Sequence, residues 1–136
     1  MSHAKLNGQK ANGHFSGTIA MNGQPTAFNG KEHFIFRDGS ELEIYSGEEI
    51  PGVGWKSITL KLAPDIPTGK HNIGTFSSFR SAVIVPANTD ILQNYSGTLE
   101  IKPDHTNRHY QGTLSLTARN NGSNTYQMEA TFHLKE

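Results

Sequence analysis

The segment Tyr126–Lys135, YQMEATFHLK, decides the fold class of this chain. Its apolar residues fall on every second position, so Tyr126, Met128 and Phe132 share one face while polar residues occupy the other. Successive side chains of a β-strand point to opposite faces of the sheet, whereas a helix repeats about every 3.6 residues. The segment is therefore predicted to be a strand with one buried and one solvent-exposed face.

The same alternation recurs along the chain, and no stretch carries a convincing helical stripe. We expect strands at residues 14–21, 24–29, 31–37, 40–46, 56–63, 75–85, 94–102, 109–118 and 125–135. Neighbouring strands joined by short turns pair antiparallel. The prediction is a single all-β domain over residues 1–136, an antiparallel β-sandwich or flattened β-barrel of about eight to ten strands. Residues 1–13 are expected to form a flexible tail.

Turn-forming dipeptides separate these segments. Asn-Gly pairs begin at positions 7, 12, 22, 29 and 121, and an Asp-Gly pair begins at position 38. Such pairs tolerate the positive φ angles of tight hairpins. Pro25 lacks a backbone N–H, so the strand that contains it is expected to be an edge strand or an irregular connection. Longer connections are predicted at residues 46–55, 64–74 and 86–94, and loops of this kind often carry function.

Three segments, at residues 15–21, 95–101 and 110–116, share the pattern aromatic-x-Gly-Thr-aliphatic-x-aliphatic. The glycines Gly17, Gly97 and Gly112 all fall on the inward face. Either a ligand approaches the backbone there, or a curved sheet uses glycine as a kink whose gap a neighbouring aromatic ring fills. Three copies on three strands favour the second interpretation.

A register follows for the C-terminal strands if inward positions pair with inward positions. Gly112 is then predicted to lie between Leu99 and Phe132. The outer face would carry two cross-strand rows, Glu100–Gln111–His133 and Thr98–Thr113–Thr131.

Composition excludes several classes of protein. The chain has 136 residues, with 12 Lys and Arg against 12 Asp and Glu and no cysteine. Non-specific binding to nucleic acid comes from clustered basic residues, so nucleic acid is not an expected partner. The longest apolar run, at residues 82–85, is far shorter than a transmembrane helix, and the first residues lack an apolar leader. We expect neither a membrane span nor a signal peptide, and location stays open between the cytoplasm and a processed exported form.

The run YSGTLEIKPDHTNRHYQGTLSLTARNNGSNTYQMEATFHL, preceded by ITLKLAPDIPTGKHNIG, resembles a group of small bacterial all-β proteins of unknown function. The resemblance covers residues 56–135 and implies an all-β meander. Many members of that group look like exported lipoproteins, but this chain lacks a lipobox cysteine. The group has no established catalytic residues that could be transferred to this sequence.

Residues that commonly carry chemistry are present without a convincing arrangement. Seven histidines are found, at positions 3, 14, 33, 71, 105, 109 and 133. A zinc site needs three or four converging ligands, and even the best-spaced pair, His105 and His109, is split between a turn and a strand. No buried carboxylate pair, Gly-x-Ser-x-Gly elbow or phosphate loop is apparent. We therefore predict no metal, no cofactor and no catalytic residue, with the histidines on a solvated sheet face.

The aromatic residues around the 46–55 connection are more informative. Trp55 is the only tryptophan, and Tyr45 lies at the other end of this segment. Trp55 either stacks on a sugar ring or another flat ligand, or fills one end of the core under its loop. Chain direction alternates in a meander, so the 46–55 and 86–94 connections should emerge at one end and 64–74 at the other. The predicted binding residues are Tyr45, Glu48, Glu49, Trp55, Asp90 and Gln93.

Three functions are consistent with these observations. The first is a non-catalytic binding module that recognises a small molecule, a glycan or a protein through loops at one end of the β scaffold. The second is a structural or protein-interaction protein that acts through its polar sheet face, for example as a homo-oligomer. The third is a cyclase or isomerase with a site inside a barrel.

Overall fold

The protein is described here by a computed structural model that covers residues 9–52, 54–73, 79–85, 93–119 and 124–136. Its strands are β1 (Gln9–Lys10), β2 (Asn12–Met21), β3 (Gln24–Asn29), β4 (Glu32–Arg37), β5 (Leu42–Ile50), β6 (Gly54–Leu62), β7 (Gly69–Asn72), β8 (Phe79–Val85), β9 (Gln93–Asp104), β10 (His109–Arg119) and β11 (Thr125–Lys135). The all-β prediction is confirmed, and the described ranges contain no helix. The sequence did not predict β1 and β7.

The strands form two antiparallel sheets that do not close into a barrel, so the fold is a sandwich. One sheet has five strands in the order β1-β4-β5-β6-β8, and the other has six in the order β3-β2-β11-β10-β9-β7. The chain changes sheets at Ala11, whose N–H donates to the carbonyl of His33 at 2.9 Å. Residues 9–13, expected to be part of a flexible tail, therefore belong to β1, this crossing and the start of β2.

The alternating apolar residues of both sheets meet in one core. Ile35, Ile44 and Leu60 lie side by side in the five-stranded sheet, and all three are buried. Phe15 and Phe132 stack in the six-stranded sheet with ring centroids 5.0 Å apart. Burying a large apolar side chain contributes about 1.5–3 kcal/mol, so these two facing surfaces are the main source of stability.

The chain turns at two of the predicted dipeptides, Asn22–Gly23 and Asp38–Gly39, but only the first uses positive φ angles. Asn22 and Gly23 both have positive φ, 51° and 86°, and join β2 to β3. Asp38 accepts hydrogen bonds from the backbone N–H groups of Ser40 and Glu41 at 2.7 and 2.9 Å. These bonds lower the pKa of Asp38. β3, which contains Pro25, is an edge strand as expected.

The predicted register is right for one pair of strands and wrong for the other. Gly112 lies opposite Phe132 and Thr113 opposite Thr131, as expected. Across the β9–β10 pair, however, Gly112 lies opposite Ile101 rather than Leu99. The reason is that β9 continues through Pro103 to Asp104, and the turn that follows occupies residues 105–108. Because the slip is two residues, the inward and outward faces are unchanged.

The three repeated glycines are places where strands approach closely. A Cβ at Gly17 would lie 1.9 Å from the backbone oxygen of Glu129, and one at Gly97 would lie 2.0 Å from that of Ser115. At Gly112 the nearest atoms would be the Glu100 oxygen and the Phe132 ring. Neighbouring backbone and an aromatic ring occupy this space, which supports the structural interpretation of the repeat over a ligand site.

Candidate functional site

The predicted 46–55 loop is wrong. β5 continues to Ile50 and β6 begins at Gly54, and the two strands pair with each other as a hairpin. Trp55 lies within β6, directly opposite Glu49. The 64–74 connection also contains a strand, β7. The candidate residues at 45–55 therefore lie on a sheet rather than on a long loop.

Tyr45 and Trp55 meet on the outer face of the five-stranded sheet. The core-facing residues of β5 and β6 include Ile44 and Leu60, so the alternate positions 45 and 55 face away from the core. The indole Nε1–H of Trp55 donates to the Tyr45 hydroxyl. The interpretation of Trp55 as a core plug is therefore wrong.

Gly47 makes this contact possible. It lies on the same face, between Tyr45 and Glu49 along β5. A Cβ at this position would lie 2.6 Å from the Tyr45 hydroxyl oxygen and 2.8 Å from Trp55 Nε1. The polar ends of both rings consequently occupy the space above the glycine, where a larger residue would push them apart.

Phe34 extends this group of rings. Phe34 lies opposite Tyr45 on β4, and their ring centroids are 6.0 Å apart. We call Phe34, Tyr45 and Trp55 the aromatic surface. Phe34 and Trp55 are half-buried, whereas Tyr45 is only 4% exposed. Among the described residues Tyr45 is the one buried hydrophobic side chain outside the core cluster.

Carboxylates border the aromatic surface on one side. Glu49 is exposed and lies opposite Trp55, and Glu32 lies on the same face next to Gly47. Burial raises the pKa of Tyr45, and the charge of Glu32 raises it further, against the opposing hydrogen bonds from Trp55 and Ser57. The Tyr45 hydroxyl is therefore neutral at physiological pH and can donate or accept a hydrogen bond.

The other predicted site residues do not join this group. Glu48 lies on the opposite face of β5 from Tyr45 and Glu49. Its carboxylate accepts a hydrogen bond from the backbone N–H of Asn29 at 2.9 Å. Gln93 begins β9 in the other sheet. Asp90 lies outside the described residues. Ser57 pairs with Val85, the last residue of β8, so the connection that follows β8 starts at the end of the sheet where β6 begins.

A second feature, which the sequence did not predict, lies on the six-stranded sheet. A hollow of about 320 Å³ is lined by parts of β7, β9, β10 and β11. Its polar side chains come from Thr68, Glu100, Lys102, Gln111 and Thr113. We call it the polar hollow. The hollow forms where Gly69 and Gly112 lie on either side of Ile101. The alternation of apolar residues does not determine which residues lie opposite Ile101, so the sequence could not predict this lining.

Several histidines hold the fold together rather than lying on a solvated face, contrary to expectation. His33 is 6% exposed, and its Nδ1 lies 2.9 Å from Ser46 Oγ. His71 Nε2 lies 2.8 Å from the carbonyl of Pro67, and His105 Nε2 lies 3.0 Å from that of Ile66. These contacts fix the segment between β6 and β7, whose Ile66 is buried in the core.

No family model, curated protein or solved structure matches this chain. The resemblance of residues 56–135 to small bacterial all-β proteins therefore remains a prediction. Within the described ranges, no helix is long and apolar enough to cross a membrane.

Proposed function

We propose that the protein is a non-catalytic binding module that recognises a glycan or a small molecule with a similar surface. The aromatic surface is the proposed contact. The observation that supports it most directly is the half-buried Trp55, held by Tyr45 on a sheet face that the core does not use. This position replaces the loop-based site expected from the sequence.

The chemistry of the aromatic surface suits a sugar ring. Aromatic side chains offer a flat apolar face for stacking, and binding sites combine such faces with a few placed polar groups. Glu49 beside Trp55, and Glu32 near Tyr45, supply acceptors for hydroxyl groups. Their negative charge favours neutral ligands over acidic ones, because like charges repel.

The alternative functions have less support. The structural or interaction function depends on the outer face of the six-stranded sheet, where Thr98, Thr113 and Thr131 are at least partly exposed. A hydrated polar face of this kind needs no partner. The enzyme alternative required a barrel interior, and the two sheets do not form one.

Intrinsic fluorescence tests the proposal because Trp55 is the only tryptophan. We expect a panel of neutral oligosaccharides to contain a ligand that changes Trp55 emission saturably, while acidic oligosaccharides bind more weakly. Calorimetry on Trp55→Ala should then show affinity at least about tenfold lower, equivalent to about 1.4 kcal/mol. Unfolding by urea should show that the variant remains folded.

Glu100→Gln provides a matched control on the other sheet, since Glu100 lines the polar hollow. We expect this variant to bind the oligosaccharide like the wild type. Loss of affinity in Glu100→Gln with unchanged affinity in Trp55→Ala would move the site to the polar hollow. Absence of binding across the whole panel would reject the glycan proposal.

A further inference from the structure

Three histidines cluster on the outer face of the six-stranded sheet, whereas the aromatic surface lies on the outer face of the five-stranded sheet. His14 on β2 lies directly opposite His133 on β11. His109 on β10 pairs with Lys135, two residues beyond His133 on the same face. His14 and His133 are exposed, and His109 is half-buried. All three are carried by paired strands, so their backbone positions are fixed by the sheet.

The rings of His109 and His133 form a close pair. Their ring centroids are 4.4 Å apart and their ring planes are within 12° of parallel. Their Nε2 atoms face each other in a hydrogen-bond contact. In the neutral pair one Nε2 carries a hydrogen and the other accepts it, so two imidazole nitrogens compete for a single proton. His14 stands edge-on to His133 at a centroid distance of 6.2 Å.

We propose that His109 and His133 bind a divalent transition metal ion, with Zn²⁺ as the test case. Neutral imidazole nitrogen is a preferred ligand for Zn²⁺, Cu²⁺ and Ni²⁺. The ion takes the place of the shared proton between the two Nε2 atoms, which move apart to accommodate metal–nitrogen bonds of about 2.0–2.1 Å. That proton moves to Nδ1 of its own ring, so both rings become Nδ1–H tautomers and no net proton is released.

The surroundings set the strength of this site. The described residues contain no group of three or more His, Cys, Asp or Glu side chains arranged to hold a metal. Water must therefore complete the coordination shell of the ion, and the exposure of His133 permits this. Asp104 lies opposite His109 on β9, whereas Lys135 lies opposite it on β11. With two protein ligands and a neighbouring cation, binding should be weaker than at a structural zinc site.

Titration of the full chain with Zn²⁺ at neutral pH tests the assignment. Two-dimensional ¹H–¹⁵N spectra of the histidine rings identify which nitrogens bind the ion. We expect saturable binding of one ion, with the Nε2 signals of His109 and His133 shifting together. His109→Gln and His133→Gln should each weaken binding at least about tenfold, because even the loss of a group that only supports a metal ligand costs about 10–100-fold in affinity.

His14→Gln is the matched control, because it removes a histidine of the same exposed cluster but no atom of the facing pair. We expect it to bind Zn²⁺ like the wild type. Equal loss in His14→Gln and His133→Gln would overturn the two-histidine assignment. So would the absence of saturable binding below about 1 mM Zn²⁺, or unchanged Nε2 signals of His109 and His133 at saturation. Unfolding midpoints without metal should agree among the variants, which separates loss of binding from loss of structure.

Discussion

Replacing Gly112 with alanine should destabilise the protein through one specific contact. Gly112 lies on the inner face of β10 between Ile101 and Phe132. An added Cβ would lie 2.4 Å from the backbone oxygen of Glu100 and 3.0 Å from Cζ of Phe132. The oxygen distance is about 1 Å short of ordinary contact. Because this atom is part of a hydrogen-bonded strand, it cannot swing away as a side-chain end would.

The expected magnitude combines two opposing effects. Overpacking a well-packed site costs about 1–3 kcal/mol. Replacing glycine with alanine also restricts the unfolded chain, which stabilises a protein by about 0.4–1 kcal/mol where alanine fits. We expect a net loss of about 1–2 kcal/mol in the free energy of unfolding. For a domain of this size that lowers Tm by about 3–7 °C.

Urea unfolding of Gly112→Ala beside Thr113→Val measures this effect. Thr113 is the next residue and points outward, so its replacement should change stability by less than about 0.5 kcal/mol. A Gly112→Ala variant as stable as the wild type would refute the reasoning, because β9 and β10 would then be further apart than the structure places them. Greater destabilisation by Thr113→Val than by Gly112→Ala would indicate that the inward and outward faces are reversed.

Two further predictions concern His33 and Gly47. Burial, aided by the charge of His14, lowers the pKa of His33 from 6.5, so the unfolded chain binds the proton more readily than the folded one. The contribution of neutral His33 to the free energy of unfolding should be complete above the pKa that His33 has in the unfolded chain. It should be lost as pH falls through the lower pKa that His33 has in the folded protein. Urea midpoints at about pH 7.5 and pH 5 should therefore differ less in His33→Gln than in the wild type. Gly47→Ala should separate the Tyr45 hydroxyl from the Trp55 indole, which would shift the fluorescence maximum of Trp55, and an unchanged maximum would contradict the contact.

The strand pattern could be predicted because strands such as β6, β10 and β11 have one face against the core. In β11 the buried and exposed positions alternate along most of the strand, as the sequence YQMEATFHLK indicates. Parity alone does not fix a register, because a slip of two residues preserves both faces. The β10–β11 register was predicted correctly, whereas the predicted β9–β10 register was two residues off. What selects the observed register is local: Asp104 accepts hydrogen bonds from the backbone N–H and side-chain amide of Asn107 at 3.1 and 2.8 Å.

The candidate site was only partly predictable for a related reason. Sequence reasoning placed Tyr45 and Trp55 near each other but assigned them to a loop, since Gly47, Glu48 and Glu49 lack an alternating apolar pattern. In the structure these residues continue β5, paired with the start of β6. Phe34 was missed because its neighbour in space, Tyr45, is eleven positions away along the chain. The partner of a sheet residue is set by register, and register is the least local property of a strand.

The two outer faces of the sandwich show that the aromatic surface is not a requirement of the fold. On the six-stranded sheet, the outward positions of β10 and β11 carry residues such as Thr113, Glu129 and Thr131, and these strands pair fully. The five-stranded sheet would form with similar residues on its outer face, because its core contacts come from the side chains on the opposite face of its strands. Phe34 and Trp55 are only half-buried on that face, so each leaves apolar area exposed that the fold does not require. This exposed area supports the proposed contact with a ligand.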